Sequence, residues 1–287
     1  MSDFITKGNP FGRSSLVAQI TKGLTKEAKL TKRSIHGADA AFCSRKSALH
    51  QAIADDTSAI LEPQSALYFA IGNGVHDTIR DALDKSGILI ANEYRLSYGA
   101  INGFIDDIVI STETGSLKII DVKTCGRLPT KIKVGQAEQL LTYALLSGIW
   151  EASILYVSRN VSDFSGILIK ELRADMTKRN MTKIARVVAE SLVAVKRKIV
   201  PPRPEYRLSS ADCGWCPFKD NGCWSRTQGI LPLTKGFDYD PLSRYESEIA
   251  DQAQVLLGSQ SVFYSQTIDK LNKNTKAAFR LAKAKIT

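Results

Sequence analysis

The residue types best suited to chemistry concentrate in two short apolar runs, Gly103-Phe104-Ile105-Asp106-Asp107-Ile108 and Ile119-Ile120-Asp121-Val122-Lys123-Thr124. Both are rich in β-branched residues and read as strands. Alternation along a strand puts Asp121 and Lys123 on one face and Val122 on the other. Asp106 and Asp107 must face opposite ways, so only one of them can join Asp121. Two carboxylates on neighbouring strands would make a hard oxygen site suited to Mg²⁺ or Mn²⁺. Such a metal polarises a phosphate and lowers the pKa of a bound water. A lysine two positions along can steer that water and offset charge developing on the phosphate. An isolated Asp-x-Lys is far more often a solvated strand end. What favours a site is the apolar setting, where an unpartnered acid is costly.

The cysteines form a second constellation. Cys213 and Cys216 make a Cys-x-x-Cys knuckle, Cys223 follows closely, and Cys43 stands far upstream. The knuckle and Cys223 supply three ligands, and Cys43 can supply a fourth if the ends of the intervening region meet. Four thiolates suit tetrahedral zinc or a [4Fe–4S] cluster. An odd cysteine count without an export signal argues against a disulfide framework. Cys125, just after the Asp-x-Lys strand, reads as a small buried residue rather than a nucleophile.

The elements that must position these groups are legible from periodicity. Residues 34–84 read as helical, with Leu67, Ala70, Ile71, Val75, Ile79 and Leu83 on one stripe. Three strands follow, over 90–98, 101–111 and 117–124, joined by short turns. A helix over 134–150, strands over 152–159 and 164–172, and an amphipathic helix over 175–200 complete the series. Pro201-Pro202 ends that helix. The order predicts an α/β fold with a central mixed sheet of about five strands flanked by helices. Residues 1–33 are basic and weakly periodic and read as an arm. Residues 34–227 read as the main domain, and 228–287 as a helical extension carrying Lys273, Lys276, Arg280 and Lys283 at helical spacing.

In this order the motifs resemble the PD-(D/E)XK nuclease superfamily, in its RecB-like branch. Gly72-Asn73-Gly74-Val75-His76 looks like the family's Gly-x-x-x-His helix. Gly103 to Asp106 looks like its Gly-x-Ile-Asp strand, Asp121-Val122-Lys123 like its Asp-x-Lys core, and Gln139 to Tyr143 like its Gln-x-x-x-Tyr helix. The resemblance implies that Asp106, Asp121 and His76 hold the metal with the Val122 carbonyl, and that Lys123 acts on the attacking water. Gln139 and Tyr143 would position Lys123 and the DNA backbone. Independently, Gln136, Gln139 and Tyr143 fall on one helix face. Asp107 reads as a salt-bridge partner and Glu93 as a supporting acid. The placement of Cys43, Cys213, Cys216 and Cys223 is similar to that of the AddB nuclease domain and of CRISPR-associated adaptation nucleases. It implies an iron–sulfur cluster rather than zinc, although the spacing between the last two cysteines is one residue longer than usual in those relatives.

Bulk properties agree with a globular DNA-binding enzyme. The chain has 287 residues, 44% hydrophobic and 24% charged, which excludes disordered and fibrous classes. Lys and Arg number 39 against 29 acids, a net charge of +10 that attracts polyanions. No run approaches the ~18 apolar residues of a membrane span, and no secretory signal is evident, so a cytoplasmic protein without a membrane partner is expected. The leading reading is a metal-dependent deoxyribonuclease, an exonuclease acting on DNA ends or single strands, with recombination or CRISPR-adaptation proteins as partners. The alternatives are a non-catalytic DNA-end scaffold and a cluster-based redox sensor.

Overall fold

The computed structural model describes residues 15–29, 34–53, 58–61, 63–160, 168–202, 216–218, 223, 233 and 236–275. In chain order the elements are α1 (Ser15–Leu24), β1 (Lys26–Lys29), β2 (Ile35–His36), α2 (Gly37–Phe42), α3 (Ser44–Ala52), β3 (Ser58–Leu61) and α4 (Pro63–Lys85). Then come β4 (Leu89–Tyr98), β5 (Ile101–Ile110), β6 (Leu117–Cys125), α5 (Val134–Ser147), β7 (Glu151–Ser158), β8 (Ile169–Arg173) and α6 (Lys178–Lys196). β9 (Ile199–Val200), β10 (Asp238–Tyr239), α7 (Glu246–Gly258) and α8 (Gln260–Thr275) follow.

The central sheet is mixed, as the element order predicts, and has six strands where about five were expected. The additional strand is β2, whose two residues pair parallel with Ile101 and Asn102 of β5. β4, β5 and β6 run antiparallel in succession. β6 and β7 are parallel, joined across the sheet face by α5, and β8 closes antiparallel on β7. The N-terminal segment read as an arm is partly structured, since β1 pairs antiparallel with β3. Strands this short carry too little periodicity to be seen in sequence.

Two layers of apolar side chains sandwich the sheet. On one face Ile105, Ile108, Ile119 and Ile154 pack against α5 and α6, through Leu140, Leu145, Ile184 and Val188. α7 and α8 add Ile249, Leu256, Phe263 and Leu271 to the same cluster. On the other face α4 covers Val109, Ile120 and Val122 with Val75, Ile79 and Leu83. Only the second half of the α4 stripe is therefore core. Leu67, Ala70 and Ile71, expected to be inward, are exposed, because the first half of this helix contributes nothing to that cluster.

α5 ends at Gly148, whose φ of +72° is the left-handed conformation glycine adopts without strain. A Cβ there would lie 2.5 Å from the Gln260 carbonyl oxygen, so the α8 backbone rests directly on this turn. The Gln260 Nε2 donates to the Leu145 carbonyl at 2.8 Å and the Thr267 hydroxyl to the Ser147 carbonyl at 3.0 Å, satisfying carbonyls that a helix end leaves open. No helix among the described residues is long and apolar enough to cross a membrane.

Candidate active site

Strand β5 meets β4 along most of its length, whereas its other edge is shared. β2 pairs with its start and β6 with its end, and the β5–β6 ladder stops at Asp107 and Ile120. A gap opens between those partners, and Asp106 lies in it. Instead of a strand carbonyl, the Val122 N–H donates to the Asp106 Oδ2 at 3.0 Å. The pleat also slips here. Ile101 and Ile105 face the α5 side, as do Ile108 and Ile110, while Val109 faces α4, so alternation breaks between Ile105 and Ile108. Across β4, Glu93 has a φ of +44°, a left-handed backbone rare for a non-glycine residue within a strand. Such strain is commonly found at functional sites.

The slip leaves both acids within reach of α4, and of the two only Asp106 also reaches Asp121. Asp107 turns to α4 and is 1% exposed, with the Arg80 Nε at 3.5 Å. Arg80 also donates to Glu93 at 2.9 Å and to Asp77 at 3.2 Å. Asp106 turns to Asp121, and the His76 Nδ1 approaches its Oδ2 at 3.5 Å from α4. Asp121 is 1% exposed. Its Oδ2 meets the Lys123 ammonium at 2.6 Å, and among the described residues neither of its oxygens has a hydrogen bond of good geometry. Burial first, and the Asp121 carboxylate second, push the Asp106 carboxyl up to about 6, against the pull of Lys123, His76 and the Val122 amide. Burial acts to lower the Lys123 pKa, but Asp121 and Asp106 outweigh it and hold the ammonium above its ordinary value. These two carboxylates thus favour the ammonium form of Lys123.

α5 completes the site from above. The Gln139 Nε2 donates to the Tyr143 hydroxyl at 3.1 Å. Burial, with Asp121 and Asp106 close by, pushes that hydroxyl up to about 12. The ring seats between two glycines: a Cβ at Gly37 would lie 2.9 Å from the Tyr143 Cε1, and one at Gly103 would lie 3.1 Å away. The glycine of the Gly-x-Ile-Asp strand thus admits the tyrosine of the Gln-x-x-x-Tyr helix. Gln136 accepts from the hydroxyl of Tyr156, which stands in register with Lys123 on β7. Sequence reading missed Gly37, Tyr156 and Arg80. For Arg80 a signal existed, since it follows His76 by one helical turn and Asp107 needs a cation.

This donor set fits a divalent cation. A buried carboxylate whose close partner is the Lys123 ammonium, a second acid whose carboxyl is raised by burial and then by that carboxylate, and an imidazole at the edge form a set that a hard cation would complete. Among the described residues, no three His, Cys, Asp or Glu side chains already form a metal cage.

The cysteine region lies apart, where α3 meets the chain beyond α6. Leu49, Ile53, Val200, Phe218 and Phe237 form a small core, against which Cys216 and Cys223 pack. Burial, and then the proximity of Cys223 and Cys43, push the Cys216 thiol up to about 11. The two ends of the region therefore do meet. Cys43, Cys125, Cys216 and Cys223 form no disulfide. Cys213, like Lys276, Arg280 and Lys283, lies outside the described residues.

A family model for the PD-(D/E)XK nuclease superfamily matches residues 38–221, more than half of the chain. The chain belongs to that superfamily. The matched span of this PD-(D/E)XK domain includes β4 to α6 and hence Asp106, Asp121, Lys123, Gln139 and Tyr143. Membership implies a nuclease acting on DNA, of a kind that generally uses divalent metals such as Mg²⁺ or Mn²⁺. No curated protein matches the sequence significantly. Among solved structures, the crystal structure of SSO0001 is similar at 14% identity and a TM-score of 0.41, covering 71% of this chain and 95% of that one. A likeness this loose has no bearing on the chemistry of this PD-(D/E)XK domain.

Proposed function

We propose that the chain is a Mg²⁺- or Mn²⁺-dependent deoxyribonuclease of RecB-like type that works as an exonuclease, with Asp106, Asp121, His76 and the Val122 carbonyl holding the metal. The observation that carries this is the buried Asp121 carboxylate, short of hydrogen bonds, opposite Asp106 and beside Lys123. When bound, the metal supplies Lewis acidity toward the phosphate and acidifies water. The protein supplies the rest. The Lys123 ammonium, held protonated between two acids, donates to the incoming water or to a phosphate oxygen and balances the charge that builds there. Tyr143 stays a neutral hydroxyl at neutral pH, oriented by Gln139, and donates or accepts without becoming an anion. Tyr156 and Gln136 brace the strand that carries Lys123.

The test is digestion of linear and closed circular DNA with added Mn²⁺, comparing the native chain with Asp121→Ala and Lys123→Ala. Loss of roughly a hundredfold or more in either variant is expected, from removing an electrostatic stabiliser of the reacting phosphate. Equal activity in all three would overturn the assignment. Degradation of circles as fast as of linear DNA would overturn the exonuclease reading alone.

The same proposal assigns Cys43, Cys213, Cys216 and Cys223 to a [4Fe–4S] cluster that clasps the domain ends, which also supports the RecB-like branch. Its support is the set of thiols and the approach of Cys43 and Cys223 to Cys216. Protein purified without oxygen should be brown and contain iron and sulfide, and Cys216→Ser should lose both. Zinc in their place would replace the cluster with a tetrahedral site. Recombination or CRISPR-adaptation proteins are the partners such a nuclease would serve.

A further inference from the structure

Helix α4 is longer than the sheet needs. By helical geometry Tyr68, Phe69, Gly72 and His76 fall within an arc of roughly 100°, the same arc that carries Ile79 and Leu83. In the second half of α4 this face is buried on the sheet. In the first half it is open: Tyr68 is 43% and Phe69 62% exposed, although α1 also touches this helix. Gly72 sits between those rings and His76, and a Cβ there would meet nothing within 4 Å. Glycine in a helix interior costs about 1 kcal/mol relative to alanine. Among the described residues no packing at Gly72 requires that cost, and the bare backbone leaves room for something outside them.

The overhang is tied to the proposed catalytic strand. The Arg159 backbone N–H donates to the carbonyl of Cys125, at the end of β6, at 2.8 Å. The Arg159 guanidinium lies 4.9 Å from the Tyr68 ring centroid. Arg127, Lys131 and Lys133 are exposed on the segment that follows β6, and no acid occurs between Cys125 and Glu138. A guanidinium stacked on an exposed ring, with further basic residues on the loop that leaves the strand of Asp121 and Lys123, suits an anionic chain that also offers flat faces for stacking. A paired duplex keeps those base faces inside its stack.

We propose that the first half of α4 is a stacking track for a single DNA strand entering the cleft, with bases on Tyr68 and Phe69 and phosphates along Arg159 and the basic rim. This deepens the nuclease reading and rests on it for the direction of the strand. Phe69 precedes His76 by two turns, about 10 Å along the axis, room for about three stacked nucleotides beyond the cleft.

The test uses the full chain in EDTA, where no cleavage occurs, and the fluorescence anisotropy of a short labelled oligothymidylate and of a blunt duplex. Tyr68→Ala and Phe69→Ala should each weaken oligothymidylate binding roughly fivefold or more. Phe69→Trp should retain it, and duplex binding should not change. Unchanged oligothymidylate affinity, an equal loss for duplex, or no single-strand binding by the native chain would overturn the track. So would conversion of a native dimer to monomer by these substitutions, which would make the face a contact between copies. Track-dependent binding with no cleavage under any metal would sink the nuclease reading and spare the track. Normal cleavage with track-blind binding would do the reverse.

Discussion

Tyr143 shows how single residues fix the proposed site. Its ring is 2% exposed and lies against two glycines from different parts of the chain, Gly37 at the start of α2 and Gly103 in β5. Neither glycine has a positive φ, so what matters is the missing side chain rather than backbone freedom. Gly37→Ala would push a methyl to 2.9 Å from the ring. We expect a loss of about 1–3 kcal/mol in urea unfolding, the range for overpacking a tight core, together with reduced nuclease activity as the hydroxyl leaves Gln139. A loss under half a kcal/mol would show that the ring yields freely. The Asp-x-Lys strand and the Gln-x-x-x-Tyr helix were legible in sequence, because strand alternation and helical spacing are local. Gly37 was not, because what makes it necessary is an aromatic ring about a hundred positions away.

Helices and strands were read well where they are long, and less well where their roles depend on neighbours. The α4 stripe was expected to be buried throughout, but only its second half covers the sheet. Arg80 on that half was overlooked, although it ties three acids together. Removing it by Arg80→Met would leave Asp107 buried without a cation, at a cost of about 3–5 kcal/mol. The double variant with Asp107→Asn should recover part of that, which a thermodynamic cycle in urea would measure. At the far edge of the sheet, Lys118 of β6 donates to Glu171 of β8. Burial would raise the Glu171 carboxyl, but the hydrogen bond from Lys118 and its charge outweigh it and hold it below its usual value. A depressed carboxyl stabilises the fold above its unfolded pKa, and that contribution fades as pH falls through the folded value. Glu171→Gln should therefore lower the melting temperature at pH 7 more than at pH 3. An equal drop at both would show that the pair has no electrostatic role.

At the scale of the molecule, the cysteine region and the C-terminal helices both join distant parts of the chain. α3 and the segment around Phe218 share a small core of their own, with the His50 and Phe218 rings edge-on at 4.7 Å. If a cluster clasps that junction, iron chelation should raise proteolytic cutting near α3 before it affects the central sheet. Simultaneous loss of both would indicate one cooperative unit. The mixed sheet followed from element order, whereas the seating of α7 on α6 and of α8 on α5 and β4 did not, because amphipathic helices do not announce which surface they will cover.

The seat of α8 on Gly148 has a practical consequence for anyone shortening this protein. A stop after Ser259 would strip the Leu145 and Ser147 carbonyls of their distant donors and uncap the helix that carries Gln139 and Tyr143. Such a trimmed version should be cleaved by chymotrypsin within α5, at Leu140, Leu141 or Tyr143, faster than the full chain and should lose activity, despite retaining every residue proposed to touch DNA or metal. Helix α8 is then a splint for the reaction centre, and its loss would be mistaken for a catalytic defect.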